Sequence, residues 1–144
     1  MMDHQAATAA QDNACKNLIP EYSAELEALT IQLLGQIADK WTMLVLEELA
    51  DGVPHRHNEL REALPGISQK MLTQTLRQME RMGLVTRTIY PVVPPHVEYQ
   101  RTQLGHDLGK VVCHLWNWVG ENAATMEAAR EKFDSRAASE AALK

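Results

Sequence analysis

The chain has 144 residues, of which 45% are hydrophobic and 23% are charged, and its formal net charge at pH 7 is −5. This length suits one compact domain with extensions, and no apolar run approaches the roughly 18–20 residues that a transmembrane helix needs. Because the first residues also lack the continuous apolar core of a secretory signal, we expect a cytoplasmic protein with no membrane partner.

The N-terminal part of the chain is predicted to contain a tail and one helix. Residues 1–22 are polar, alanine-rich and without periodicity, which is typical of a flexible tail. Residues 23–38 show helical spacing of their leucines, which predicts a helix with Leu29 and Leu33 on one side.

Two further helices are predicted before the middle of the chain. The segment KWTMLVLEELAD has helical spacing, and we expect Trp41 to lie in the core. The turn residues DGVP end this helix, and a short helix follows at NELREAL. Pro65 and Gly66 then form the next turn.

The stretch PGISQKMLTQTLRQMERMGLV predicts an amphipathic helix for which Ser68 is a suitable N-cap. Its apolar positions follow helical steps of four, three and four: Leu72, Leu76, Met79 and Gly83. The opposite face carries amide, hydroxyl and basic groups but no carboxylate: Gln69, Lys70, Thr73, Gln74, Arg77 and Arg81. A helix built only for solubility usually mixes both signs of charge, so this face indicates a binding surface.

After Gly83 the hydrophobic period changes from that of a helix to that of a strand. LVTRTIY and HVEYQR predict a hairpin around the tip PVVPP. Thr102 is suited to cap a final helix, expected over 104–133, with a frayed tail over 134–144. The predicted fold class is mainly α with a small β-hairpin wing, in which 39–103 form a winged helix-turn-helix DNA-binding domain between N- and C-terminal dimerisation helices.

The charge distribution agrees with a DNA-binding centre. Residues 55–103 contain seven basic and four acidic residues, or +3, whereas the rest of the chain contains seven basic and fifteen acidic residues, or −8. Because the local field decides whether phosphates are attracted, the acidic total does not exclude a nucleic-acid partner.

The final helix carries two neighbouring apolar stripes, together too broad for one partner. The first stripe is enough to dock the helix on its own domain: Leu104, Leu108, Val111, Leu115 and Trp118. The second is predicted to form a homodimer interface, in which the glycines allow close approach and the tryptophan is an anchor: Gly105, Gly109, Val112, Trp116 and Val119.

The cysteines and histidines were considered as reactive or metal-binding groups. Cys15 and Cys113 are expected to be free thiols and are candidate sensors, although Cys113 also suits a buried small hydrophobe. The segment HRHNE has metal-like spacing but no further convergent ligand, so no metal is predicted. No nucleophile-base pair or phosphate loop occurs, so we expect neither an enzyme nor a cofactor.

The segments IADKWTMLVLEEL and HNELREALPGISQKMLTQTLRQMERMGLVTRTIYPVVPPHVEYQRTQLG resemble the bacterial HxlR-type regulators, a branch of the MarR-like winged-helix proteins. The resemblance covers roughly residues 37–108. It implies a homodimeric transcription factor, usually a repressor, that dimerises through its first and last helices. The segment 23–38 is then the N-terminal dimerisation helix, with Leu29 and Leu33 in the interface. Some members of the family sense electrophiles through a cysteine ahead of the first helix, but positions 26–28, where it is expected, contain none. An aromatic residue is also usual where this chain has His57.

The winged-helix arrangement and the resemblance together predict contacts with double-stranded DNA. Glutamine can pair with adenine and arginine with guanine, while Lys70 near the helix start suits a phosphate. The predicted contact residues are Ser68, Gln69, Lys70, Thr73, Gln74, Arg77, Arg87, Pro95, His96 and Arg101. The alternative is a winged-helix module that binds protein. Two effector classes stay open, a small molecule and an electrophile.

Overall fold

The computed structural model describes residues 23–143, and the chain divides into two compact units, one ending at Asp39 and the other beginning at Lys40. In the first unit, helix α1 spans Ala24–Ile37, and the Ser23 side chain accepts a hydrogen bond from the Leu26 backbone N–H. The side chain of Leu29 is exposed. The predicted tail over residues 1–22, with Cys15, lies outside the described residues.

The second unit is a winged helix-turn-helix followed by a long helix, which confirms the predicted fold class. Its elements are α2 (Lys40–Glu48), a 3-10 turn (Leu49–Asp51), β1 (His55–Arg56), α3 (His57–Ala63), α4 (Gln69–Arg81), β2 (Val85–Tyr90), β3 (His96–Arg101) and α5 (Gln103–Ala142). The three strands form one antiparallel sheet in the order β1-β3-β2. Sequence analysis missed β1 because two residues show no periodicity, and this strand exists only through its pairing with β3.

The hydrophobic core lies between α2, α3, α4 and the sheet. The buried face of α4 consists of Leu72, Thr75, Leu76 and Met79, which repeats the apolar spacing read from the sequence. These side chains pack with buried residues of the neighbouring elements: Val45, Leu46, Leu49, Leu60, Leu84 and Tyr99. Trp41, expected in the core, packs against its edge and is only partly buried.

Helix α4 ends in a Schellman motif, which corrects one detail of the sequence interpretation. The N–H of Leu84 donates to the carbonyl of Met79 at 2.9 Å, and the N–H of Gly83 donates to that of Glu80 at 3.0 Å. Gly83 has a φ of 74°, a conformation that side-chain-bearing residues avoid. It therefore closes the helix and does not belong to its apolar face.

Helix α5 buries the small residues of the stripe predicted to form the dimer interface, whereas Trp116 and Val119 of that stripe are exposed and Leu108 of the first stripe packs against the core as expected. Gly105, Gly109 and Val112 are buried against their own domain. A Cβ atom at Gly105 would overlap the carbonyl of Leu84, and one at Gly109 would overlap the guanidinium of Arg101. These three residues are therefore corrected from dimer contacts to contacts within the subunit.

The large side chains of the other stripe are the exposed ones. Between about one half and three fifths of each of these residues is exposed: Leu104, Val111, Leu115 and Trp118. The helix also continues to Ala142, so the predicted frayed tail beginning at residue 134 is wrong for residues 134–142. Within residues 23–143, no helix is apolar over a stretch long enough to cross a membrane.

We expect the glycines of α5 to respond oppositely to substitution by alanine. Gly105→Ala should lower the free energy of unfolding by about 1–3 kcal/mol, because the new methyl group must displace a backbone carbonyl. Gly120→Ala is the matched control, because it meets no atom within 4 Å. It should raise the free energy of unfolding by up to about 1 kcal/mol through helix propensity.

Urea denaturation followed by circular dichroism, with both variants at one protein concentration, measures the two effects. Equal shifts of the two variants would show that α5 does not pack closely at Gly105.

Candidate nucleic-acid interface

The exposed surface of α4 is mainly polar, with Met71 as its exposed apolar residue. Ser68 caps the helix, and its side chain accepts a hydrogen bond from the Met71 N–H at 3.1 Å. The predicted contact residues of this helix are all exposed, and the first four line one open depression: Gln69, Lys70, Thr73, Gln74 and Arg77. An exposed helix with this chemistry fits the major groove, where amides and guanidinium groups can pair with base edges.

The basic groups of this face are available to an external partner. None of the ion pairs found within residues 23–143 includes Lys70, Arg77 or Arg81. Their charges are therefore not neutralised by a carboxylate of the same subunit, and they can attract phosphates.

His57, at the start of α3, contacts the exposed face of α4. Its Nε2 lies 3.0 Å from the hydroxyl oxygen of Thr73, and that hydroxyl lies 2.9 Å from the carbonyl of Gln69. A hydroxyl has one hydrogen, so a Thr73 hydroxyl that donates to the Gln69 carbonyl accepts from His57 in the tautomer that carries its hydrogen on Nε2. The bond joins the two helices of the helix-turn-helix, and the only signal in the sequence was a histidine at a position where the resembling family has an aromatic residue.

The surroundings of His57 favour its neutral form. The side chain is half-buried, and this burial lowers the pKa of the imidazole, to which the nearby Arg61 guanidinium adds. The neutral ring with its hydrogen on Nε2 can still donate to Thr73. The contact therefore does not require a charged histidine.

The wing is stiff and carries little positive charge. The rings of Tyr90 and His96 stack with centroids 4.7 Å apart, and His96 Nε2 lies 3.3 Å from a carboxylate oxygen of Glu98. Residues 88–100 contain no lysine or arginine. At the tip, Val93 is fully exposed and Pro95 is exposed as well. The wing therefore offers DNA a neutral, largely apolar tip.

The two arginines predicted as contacts of the wing have different positions. Arg87 is half-buried in β2, and its Nε has no hydrogen-bond partner among residues 23–143. Arg101 points inward: its Nη1 donates to the Leu46 carbonyl at 2.9 Å and its Nε to the Gly105 carbonyl at 3.0 Å. Arg101 is therefore corrected from a DNA contact to a residue that ties β3 to α2 and α5.

The remaining candidate residues are Cys113 and the segment HRHNE, and they have separate surroundings. Cys113 is a free, exposed thiol on α5, so its interpretation as a buried hydrophobe is wrong. In HRHNE, His55 contacts Asp51 at 2.8 Å, and Glu59 accepts from the Arg56 N–H at 2.7 Å. No three histidine, cysteine or acidic side chains converge as a metal site within the part of the chain that the structure describes.

Comparison with known proteins gives one consistent result. A model of the HxlR-like helix-turn-helix family matches residues 36–127. The HTH-type transcriptional regulator YtfH of Escherichia coli K12 is 40% identical over 70% of this chain and 79% of its own. The HTH-type transcriptional regulator YkvN of Bacillus subtilis is 49% identical over 58% of this chain and 70% of its own. A MarR-family transcriptional regulator from Enterococcus faecalis V583 superposes with a TM-score of 0.62 at 35% identity, covering 76% of this chain and 98% of its own.

The lowered pKa of His57 predicts a pH-dependent stability. Because the unfolded chain, with a histidine pKa near 6.5, binds the proton more tightly, the free energy of unfolding should fall as the pH drops through this value. His57→Phe removes the group and should make the fall smaller. Urea denaturation of both proteins at about pH 7.5 and about pH 5.5 measures the fall in the free energy of unfolding.

Other histidines titrate in both proteins, so only the difference between the two pH dependences is informative. Parallel dependences for the wild type and His57→Phe would contradict the burial of this imidazole.

Proposed function

Because the chain belongs to the HxlR-like helix-turn-helix family of transcriptional regulators, we propose that it represses transcription as a homodimer bound to an inverted-repeat operator in the cytoplasm. The observation that carries the proposal is the exposed face of α4, which has amides, a hydroxyl and cations without an ion pair among residues 23–143, while the single acidic residue of the helix, Glu80, is half-buried near its C-terminal end. Such a face attracts phosphates and can form directional hydrogen bonds with base edges.

The side chains of α4 suit different parts of the duplex. The amides of Gln69 and Gln74 can each form two hydrogen bonds with adenine, and Arg77 can form two with guanine. Lys70, in the first turn, suits a phosphate. The Thr73 hydroxyl is already engaged by His57 and Gln69, so we assign Thr73 an apolar contact through its methyl group, for which a thymine methyl is the natural partner.

The wing contributes mainly through its tip. With no lysine or arginine in residues 88–100, it adds little to phosphate attraction. We assign Pro95 and the neighbouring exposed valines an apolar contact in the minor groove. Arg87 remains the cationic candidate of the hairpin, whereas His96 is held by Glu98 and Tyr90.

The homodimer is supported by the exposed apolar seam of α5. The seam consists of Leu104, Val111, Leu115 and Trp118, and its line continues to the exposed Phe133. An apolar stripe of this length on a projecting helix is typical of packing against a second helix. Of the interface residues predicted from the sequence, Val119 borders this seam, while Trp116 lies beside the buried face. The exposed Leu29 of α1 offers a further apolar contact.

A two-fold dimer explains why the operator should be an inverted repeat. Two recognition helices related by a two-fold axis read the same sequence on opposite strands, with half-site centres about 34 Å apart, or one helical turn.

The rival function is a winged-helix module that binds protein. To separate the two functions, the purified protein is incubated with fragments of its own genome at two salt concentrations, and the retained fragments are sequenced. DNA binding must weaken steeply as the salt concentration rises.

We expect Arg77→Ala to weaken operator binding by about 1–3 kcal/mol, because a guanine loses its paired donor. Arg130→Ala is the matched control, since Arg130 is exposed on α5 and lies outside the α4 surface. Gel-shift titration against operator and scrambled DNA measures both. An equal fall on both DNAs would make Arg77 a phosphate contact, and unchanged affinities would show that α4 is not the recognition helix.

We expect the double substitution Leu115→Glu and Trp118→Glu to give a monomer, because it places charges in the apolar seam. The matched control, Asn117→Glu with Ala124→Glu, adds the same two charges at exposed positions on the side of α5 away from the seam and should leave the dimer intact. Light scattering at micromolar concentration measures the mass. A monomeric wild type would contradict the proposed dimer, and a dimeric double variant would place the interface elsewhere.

A further inference from the structure

His57 places an imidazole from α3 beside the α4 surface assigned to DNA. Its Nε2 lies 3.0 Å from the hydroxyl oxygen of Thr73, and Thr73 lines the same open depression as Gln69, Lys70 and Gln74. In a helix-turn-helix, the first helix crosses the DNA backbone while the second lies in the major groove. A duplex read by α4 therefore brings a phosphate close to the start of α3, where His57 lies.

The two ring nitrogens of His57 have different surroundings. Nε2 is engaged by Thr73, whereas Nδ1 has no hydrogen-bond partner among residues 23–143. Nδ1 is also not among the buried nitrogens of these residues that lack a partner, so it is open to solvent. In the neutral tautomer with its hydrogen on Nε2, Nδ1 carries a lone pair and can only accept. Because a DNA phosphate oxygen also only accepts, it can bond to Nδ1 only when the ring is protonated.

The groups around the ring do not favour a proton in the free protein. Burial lowers the pKa of the imidazole, and the Arg61 guanidinium on the same helix lowers it further. On α4, the Thr73 contact stands between two cations, Lys70 one turn before it and Arg77 one turn after it. The free protein therefore holds this ring neutral at about pH 7.5.

The carboxylates at the start of α3 and in the sheet are engaged elsewhere. Glu59 accepts a hydrogen bond from the Arg56 N–H at 2.7 Å, and a carboxylate oxygen of Glu98 lies 3.3 Å from His96 Nε2. Among the described residues, no charged group of α2, α4, β1 or β3 acts on the His57 ring. A proton on His57 thus has no counter-charge in this part of the subunit, and a DNA phosphate supplies one.

We propose that His57 is a backbone contact of α3: when the operator binds, its imidazole takes up a proton from the solvent and donates from Nδ1 to a DNA phosphate oxygen. The bond from Nε2 to Thr73 is kept in both states, so the ring is already in position. The new contact is a charge-assisted hydrogen bond. This inference rests on the proposed function and adds a proton to the binding equilibrium.

Operator affinity should therefore rise as the pH falls, which is the opposite of the direction expected for the free energy of unfolding. A phosphate raises the pKa of the bound imidazole above that of the free one. Each unit of difference between the two pKa values corresponds to about tenfold tighter binding per subunit once the pH lies below both. Between about pH 7.5 and about pH 5.5 we expect a gain of about threefold to tenfold per subunit.

The gain is measured by fluorescence anisotropy with a labelled operator, selected from genomic fragments, at the two pH values and constant ionic strength. His57→Gln keeps a neutral donor for Thr73 but cannot take up the proton, so it should lose the gain. His57→Arg carries a permanent charge and should bind at about pH 7.5 as tightly as the wild type binds at about pH 5.5. Circular dichroism at both pH values checks that each variant is folded.

His106→Gln is the matched control, because His106 is an exposed histidine of α5, outside the helix-turn-helix. It should keep the gain of the wild type. His96→Gln tests the wing, whose histidine also titrates beside a carboxylate, and it should keep the gain as well.

The salt dependence separates a phosphate contact from a purely structural role of His57. One more phosphate contact should steepen the slope of log K against log salt by about 0.9 per subunit when the pH is lowered. The slope of His57→Gln should be the same at both pH values. If His57 only held α4 in place, its substitution would change affinity but not this difference in slope.

Equal gains for the wild type and His57→Gln would overturn the proposal, because the proton would then be taken up elsewhere. Loss of the gain in His96→Gln alone would place the proton on the wing and overturn it too. Operator binding that does not depend on pH would overturn this inference and leave the proposed function in place. Failure of the wild type to bind any genomic fragment at either pH would contradict both.

Discussion

The guanidinium of Arg101 holds the winged-helix unit together at the point where three elements meet. It extends from the end of β3 and donates to the carbonyls of Leu46 in α2 and Gly105 in α5. Gly109, one turn further along α5, leaves the space in which the guanidinium lies. Both glycines are explained by the close approach of α5 to its own domain. Gly105 leaves room for the carbonyl of Leu84, and Gly109 leaves room for the guanidinium of Arg101.

Because Arg101 is used inside the subunit, the basic centre of the chain presents less charge to DNA than its sequence suggests. The cations that remain without a carboxylate partner in residues 23–143 include Lys70, Arg77 and Arg81, which all belong to α4. The wing adds a neutral tip, and Arg87 is the cation that remains on its hairpin. Helix α4 therefore carries a cluster of cations that can attract phosphates, and it is joined to α3 by the His57–Thr73 bond as well as by the apolar core.

Helix α5 packs against its own domain on one face and exposes apolar side chains on the neighbouring face. Its small residues face inward, where only a glycine admits a carbonyl or a guanidinium, and its large apolar residues face outward along the seam. One helix therefore adjoins both the reading domain and the proposed dimer interface.

The sequence by itself determined the features that depend on local spacing. The apolar period of α4, its Ser68 cap, the hairpin and the Thr102 cap all involve residues a few positions apart, and the structure has each of them. Only the tertiary structure decided that Arg101 points inward, that the glycine stripe is the inner one, and that His57 bonds to Thr73. Periodicity separates the faces of a helix but does not say which face meets which partner. That choice depends on contacts such as Arg101–Leu46, between residues 55 positions apart, which no local pattern records.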